Sequence, residues 1–378
     1  MLQIKKEFEI SPENLIKEHL DSLEQLIDTE HIQRVEEKQL DVFNFHEVDK
    51  LPIIISTRND VAHKTKGKIS WPEFPFHQMW HDYGAMLLNE LRPVYESAVL
   101  KDDKVFSVRP NMSQIFMPAM LGAQGIYYSH GINSMPAVDT LSSEQMMDEA
   151  IESEIDYKHH WTIKKYCEII DHWRYLLSDF PNMRKTIRFS LPDLQGPFNL
   201  YFLLRGSDAY YDVIIAGEFL HKMMRGLTGL IINVTNYLME YIGYNGIGYY
   251  WNYSFPGKIR NVDDNAVQIS HEHYFEFVLP YNRLLAEKCG GGIHHYCGKG
   301  DHIIDAVMSI TGTVGLNFGN PEMQDWNSIY EKALNHKVVL LYDKAIPFEI
   351  FKELKYGVIM KIIVSSLEEG KKILSKYA

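Results

Sequence analysis

The chain has 378 residues, with 50 acidic against 38 basic side chains and a formal net charge of −12 at neutral pH, so a polyanion repels it as a whole and nucleic acid and membrane surfaces are poor partners. With 46% hydrophobic, 12% aromatic and 23% charged residues, it has the material for a large core and not the composition of a disordered chain. Three irregularly spaced cysteines, Cys167, Cys289 and Cys297, exclude a disulfide framework and fit a reducing compartment.

The first residues lack an apolar signal segment and no apolar run is long enough to cross a bilayer, so a cytoplasmic protein is expected. Helix is expected first, with Ser11 as N-cap, Pro12 at the first helical position, and Ile16, Leu20, Leu23 and Ile27 three or four residues apart. It reads as a helical N-terminal extension over 1–48 that covers a larger unit, 49–378.

Short apolar runs then recur at 52–55, 105–108, 187–191, 247–251, 292–297, 314–318, 338–342 and 358–364. Helix-patterned stretches separate most of them, at 145–177, 210–241, 270–288, 301–310, 326–334 and 347–354, the first with Ser142 and Gln145 as a capping box. Eight buried strands alternating with helices predict an α/β chain folded as a (β/α)8 TIM barrel, with a doubly wound open sheet as the alternative. The long connection 111–183 reads as an insertion around the barrel mouth. In a barrel the functional residues stand at the C-terminal ends of the strands.

The most informative segment is Gly290-Gly291-Gly292-Ile293-His294-His295-Tyr296-Cys297-Gly298-Lys299-Gly300-Asp301. Strand alternation puts His295 and Cys297 on one face near the exit, where an imidazole and a thiolate share a Zn2+ ion if a third ligand joins them. A buried thiol beside a hydrogen-bonded imidazole is the other reading. The glycines do not make a phosphate loop, because Lys299 is followed by Gly300 and not by Ser or Thr. Asp301 reads as a helix N-cap, which leaves Lys299 either free for a ligand anion or solvated. His271 and His273 lie two apart on an expected helix, on different sides, and are assigned to surface and packing.

Arg58, Arg109 and Arg205 fall near the ends of the first three expected strands. With Lys299 they make a site for an anionic small molecule if they converge; otherwise each neutralises a neighbouring acid. Trp251 and Asn252 stand at the fourth exit, either over a flat ligand or in the core. Asp193, Asn111, Asn317 and Asp343 stand at other exits as acid/base, hydrogen-bonding or third-ligand groups, or as caps and turn residues.

Three stretches carry a resemblance: Pro192-Asp193-Leu194-Gln195-Gly196-Pro197-Phe198-Asn199 with Leu203-Leu204-Arg205-Gly206; Ile269-Ser270 with Tyr274-Phe275-Glu276-Phe277-Val278-Leu279-Pro280; and His295-Tyr296-Cys297-Gly298. The chain resembles, as a divergent member, the uroporphyrinogen decarboxylase family, which includes tetrapyrrole decarboxylases and cobamide-dependent methyltransferases. The resemblance implies a (β/α)8 barrel and a homodimer. In the decarboxylase branch it implies no metal, Arg58 on a substrate carboxylate and Tyr201 in the family tyrosine's place. The aspartate of that branch is missing where Arg109-Pro110-Asn111 stands, and the last strand exits into Ser365-Ser366 without its histidine. In the methyltransferase branch it implies zinc on His295 and Cys297, but no cysteine follows Cys297 to supply the family's second thiolate. An oxygen ligand such as Asp343, Asn317 or Asp193 then substitutes.

The resulting expectation is a zinc-dependent methyltransferase that takes a methyl group from a corrinoid, free or on a corrinoid protein, to a thiol. The alternatives are a metal-free decarboxylase of uroporphyrinogen or another polycarboxylate, with Asp193 stabilising charge, and a non-catalytic corrinoid or tetrapyrrole binder.

Overall fold

The computed structural model describes residues 12–57, 71–126, 133–141, 143–153 and 155–377. Arg58 and the caps expected at Ser11 and Ser142 lie outside the described residues. The strands are β1 (Ile53–Thr57), β2 (Ser107–Val108), β3 (Gly125–Ile126), β4 (Ala137–Val138), β5 (Arg188–Phe189), β6 (Ile247–Tyr250), β7 (Tyr253–Pro256), β8 (Ile259–Val262), β9 (Gly292–Tyr296), β10 (Thr313–Phe318), β11 (Val339–Tyr342) and β12 (Val358–Val364).

Six of them form one parallel sheet in the order β1-β12-β11-β10-β9-β8, and β2 pairs in parallel with β5 apart from it. The chain is therefore an α/β protein, and the hydrogen-bonded ladder is interrupted between β1 and β2 and between β5 and β8. Backbone bonds still reach across both places: Asp103 N–H donates to Ile53 O at 3.0 Å, and Gly196 N–H to Val262 O at 3.1 Å. β11 is buried along its whole length, the pattern of a parallel strand covered on both faces. Helices follow β9 to β12 at Ile304–Met308, Trp326–His336, Phe348–Phe351 and Leu367–Tyr377. Among the described residues no helix is long and apolar enough to cross a membrane.

One predicted strand has another role. Residues 247–251 do not join the parallel sheet: β6 pairs antiparallel with β7 in a hairpin. Its two turn residues, Trp251 and Asn252, have φ of 43° and 73°, the left-handed conformation that a two-residue hairpin turn requires. The parallel neighbour of β9 is instead β8, Ile259-Arg260-Asn261-Val262, where a buried arginine interrupts the apolar run that marks such strands. The hairpin itself is interior. Tyr250, Tyr253, Ser254 and Phe255 are buried, and β7 packs on β9, β10 and the helix Thr29–Phe43.

Several expected helices are divided. The N-terminal one is two, Pro12–Leu26 and Thr29–Phe43, because Asp28 caps the second by accepting from His31 N–H at 3.0 Å. The stretch 145–177 becomes Glu144–Glu152, capped by Ser143, and Trp161–Leu176. The stretch 210–241 becomes Asp208–Ile215 and Gly217–Ile242.

Candidate metal centre

Alternation along β9 sends its two histidines to opposite faces. His294 is buried against Asp263, Nε2 to Oδ2 at 2.9 Å, and the same carboxylate oxygen accepts from Tyr274 Oη at 3.0 Å and Asn282 Nδ2 at 2.6 Å. This buried cluster fixes the ends of β8 and β9 side by side.

His295 faces the other way, and its Nδ1 lies 2.6 Å from Asn317 Oδ1 in β10. Asn317 gives its own Nδ2 to Leu341 O at 3.1 Å, so the amide oxygen is the atom turned to the ring. Nδ1 therefore carries the proton and Nε2 keeps its lone pair. That nitrogen faces Cys297 Sγ at 3.6 Å and Asp264 Oδ1 at 3.5 Å. Asp264 is held from the opposite side by Cys297 N–H, which donates to Oδ1 at 2.7 Å. Gly319 leaves the room the thiol occupies, since a Cβ there falls 2.3 Å from Cys297 Sγ.

The ligand atoms of Asp264, His295 and Cys297 lie within 4.8 Å of one another. Around tetrahedral zinc, bonds of about 2.0 Å to nitrogen or oxygen and about 2.3 Å to sulfur place neighbouring donors roughly 3.3–3.5 Å apart. The two distances from His295 Nε2 are close to that edge length. Three protein donors leave a fourth position for a small molecule, as catalytic zinc sites do.

The electrostatics are consistent with a cation. Burial, assisted by the nearby Arg260, holds the His295 pKa down to about 2, so the imidazole is neutral and able to ligate. Burial and then the Asp264 carboxylate push the Cys297 thiol up to about 11, and burial raises Asp264 as well. A divalent ion among them reverses that order, because it favours thiolate and carboxylate over their protonated forms.

Sequence reading pointed to His295 and Cys297 and to Asp343, Asn317 or Asp193 for the oxygen ligand; the structure instead places Asp264 beside them. Asn317 orients the ring. Asp343 pairs with Lys361 and accepts from Tyr253 Oη at 3.3 Å. Asp193 stands between Arg109 and Arg260, at 4.0 and 3.6 Å. Trp251 stands near-perpendicular to the His295 ring, centroids 6.4 Å apart. Asn252 instead ties the hairpin turn to β2, through Ser107 Oγ and Val105 O. Asn111 lines a cavity of about 370 Å3 with Arg109 and Asp193. It also lines a second, of about 340 Å3, reaching Thr57 and Glu90.

The expected ring of cations forms only in part. Arg205 lies on its own helix, Pro197–Arg205, bound to Asp212 at 2.8 Å, and Tyr201 donates to the same carboxylate. Lys299 is exposed and faces Asp301 at 3.2 Å. Arg109 stays at the strand exits, joined by Arg260. Asp264 and Arg260 escaped sequence reading because 259–262 was not read as a strand. The usable signal was an Asp-Asp pair directly after Val262, at a strand exit.

Fold and site together define an α/β protein with a three-donor candidate cation site where its parallel strands end. Neither a protein-family model nor a curated protein sequence matches the chain. Among solved structures it is similar to a methyltransferase from Methanosarcina mazei, with a TM-score of 0.62 at 14% sequence identity, over 91% of this chain and 98% of that one. At that identity the likeness is one of fold.

Proposed function

We propose that this protein is a zinc-dependent methyltransferase that transfers a methyl group from a corrinoid donor to a thiol. The observation that carries the reading is the convergence of Asp264, His295 and Cys297 on one point, in a fold shared with a solved methyltransferase. On this reading the eight parallel strands are a (β/α)8 barrel whose ladder the interior hairpin interrupts, and the triad stands at its mouth.

Asp264, His295 and Cys297 would hold a zinc ion, which would supply the Lewis acidity that favours the deprotonated, nucleophilic form of a substrate thiol at neutral pH. The chain's own residues prepare the site. Asn317 fixes the His295 tautomer and ring plane; Cys297 supplies the soft donor; Asp264 supplies a carboxylate where the resemblance implies a second thiolate. A carboxylate gives less electron density to the ion than a thiolate, leaving it a stronger Lewis acid. Trp251 packs near-perpendicular to the His295 ring and places an apolar surface beside the site.

Elemental analysis of freshly purified protein is expected to find about one zinc per chain, lost in His295→Ala, Cys297→Ala and Asp264→Ala alike. With methylcobalamin and a small thiol, methyl transfer is expected to fall at least about 100-fold in each variant. Protein without zinc that decarboxylates uroporphyrinogen would replace this reading by the decarboxylase one. Full zinc retention in Asp264→Ala would remove Asp264 from the site.

A further inference from the structure

Beside the triad stand two guanidinium groups, Arg260 with its side chain buried and Arg109 half-buried, each with an N–H that has no partner among the described residues. Arg260, in β8, has a side chain only 5% exposed, stacked over Trp251 at 4.5 Å and Tyr250 at 4.7 Å. Its Nη1 has no hydrogen-bond partner among the described residues; Asp193 Oδ1 faces it at 3.6 Å, beyond hydrogen-bond reach. Arg109, just past β2, donates from Nη1 to Tyr250 Oη at 3.1 Å and leaves Nε without a partner. Asp193 Oδ2 is 4.0 Å from its Nη1.

Both arginines thus share one tyrosine and one carboxylate that bonds neither. Glu90 accepts the backbone N–H of Arg109 at 3.1 Å and its charge partly offsets that guanidinium, but Nε still has no hydrogen-bond partner among the described residues. Unpaired donors on buried charged groups are costly, so a place where two of them meet marks the position of an acceptor from outside the chain. Arg109 and Asp193 line a cavity of about 370 Å3 that has room for a small molecule; Arg260 is not in its lining and meets it through Asp193. A guanidinium pair with spare N–H groups matches the oxygens of a carboxylate or phosphate.

We infer that Arg109 and Arg260, stacked on Tyr250 and Trp251, form an oxyanion site that takes a carboxylate or phosphate group of a small molecule, and that Asp193 competes with that group for the two arginines. The site goes beyond the methyl-transfer reading: neither arginine belongs to the triad, and it stands whether or not zinc binds.

The test is calorimetric titration of the full chain at low salt with inorganic phosphate and, separately, with acetate, against sodium chloride as the ionic-strength control. Saturable binding of at least one probe is expected. It weakens about tenfold or more in Arg260→Gln and in Arg109→Gln, the loss of a charge-assisted bond. Asp193→Asn, which removes the competing charge, is expected to bind severalfold more tightly. With zinc first removed from both by a chelator, Cys297→Ala is expected to bind as the parent does, which separates this site from the zinc reading. Absence of saturable binding for both probes, or parental affinity in Arg260→Gln, overturns the inference. If Arg260→Gln does not fold, Asp193→Asn decides, and unchanged or weaker binding there overturns it too.

Discussion

Which nitrogen of His295 is free depends on Asn317. The amide is itself fixed by Leu341 O, so its oxygen cannot turn away without abandoning a buried carbonyl. Partners of this kind orient a ligating imidazole and raise its basicity, and their loss typically costs about 10–100-fold in metal affinity. Asn317→Leu, close in volume and without an acceptor, is expected to weaken zinc by that factor while leaving His295 in place. Competition with a chromophoric chelator measures it; parental affinity would show that the ring needs no such support. The strand alternation that exposed His295 and Cys297 is a local property, visible in five residues. Asp264 lies 31 residues before His295, and its nearness depends on which strands are neighbours, which no local pattern states.

Strand neighbourhood is not legible in a local pattern, as the hairpin shows. The segment 247–251 has the aromatic residues and the length of a strand, and it is one; what periodicity does not encode is whether its partner runs parallel or antiparallel. The true fourth parallel strand carries Arg260, a charge that an apolar-run criterion rejects, yet the charge is buried because Tyr250 and Trp251 of the hairpin cover it. The glycines at the start of β9 have a related explanation. They build no phosphate loop; they let backbones meet. At Gly291, φ is +79° and a Cβ falls 2.2 Å from Gly312 O, whereas at Gly290, the left-handed C-cap of the helix Leu279–Cys289, φ is +73° with nothing within 4 Å. Both alanine substitutions pay the left-handed backbone penalty of about 1 kcal/mol. Gly291→Ala adds a clash with a carbonyl that belongs to the backbone and has no rotamer to yield, and is expected to cost at least about 2 kcal/mol more. Urea denaturation of the two variants distinguishes the cases; equal midpoints would mean that the loops separate freely.

Across the whole molecule, the positions of the eight expected strand segments followed from short β-branched runs separated by helix patterns, seven of them in parallel pairs and one in the antiparallel hairpin. The way the hairpin is held did not, because a buried polar side chain contributes to it. Gln39, fully buried in the helix Thr29–Phe43, gives Nε2 to Asp103 O at 2.7 Å and Asn252 O at 3.3 Å and accepts from Ser254 N–H at 2.9 Å through Oε1. It thereby joins the N-terminal helix, the loop between β1 and β2, and the turn and second arm of the hairpin. Four residues on, Phe43 packs against Phe255 and under Gly315, where a Cβ would fall 2.9 Å from its ring. In a periodicity reading Gln39 is a polar residue on a covering helix; in the fold it satisfies backbone groups that water does not reach. Replacing it with leucine keeps the volume and removes the acceptor and the donor, leaving a buried N–H and weakening two carbonyls, at a cost of about 2–4 kcal/mol. The hairpin turn carries Trp251, so the loss is expected to reach the strand exits as well as the core. Gln39→Leu is therefore expected to unfold at lower urea and, while still folded, to bind the phosphate or acetate probe more weakly. A variant that lost stability but bound the probe as the parent does would separate the hairpin's interior packing from the position of its tip.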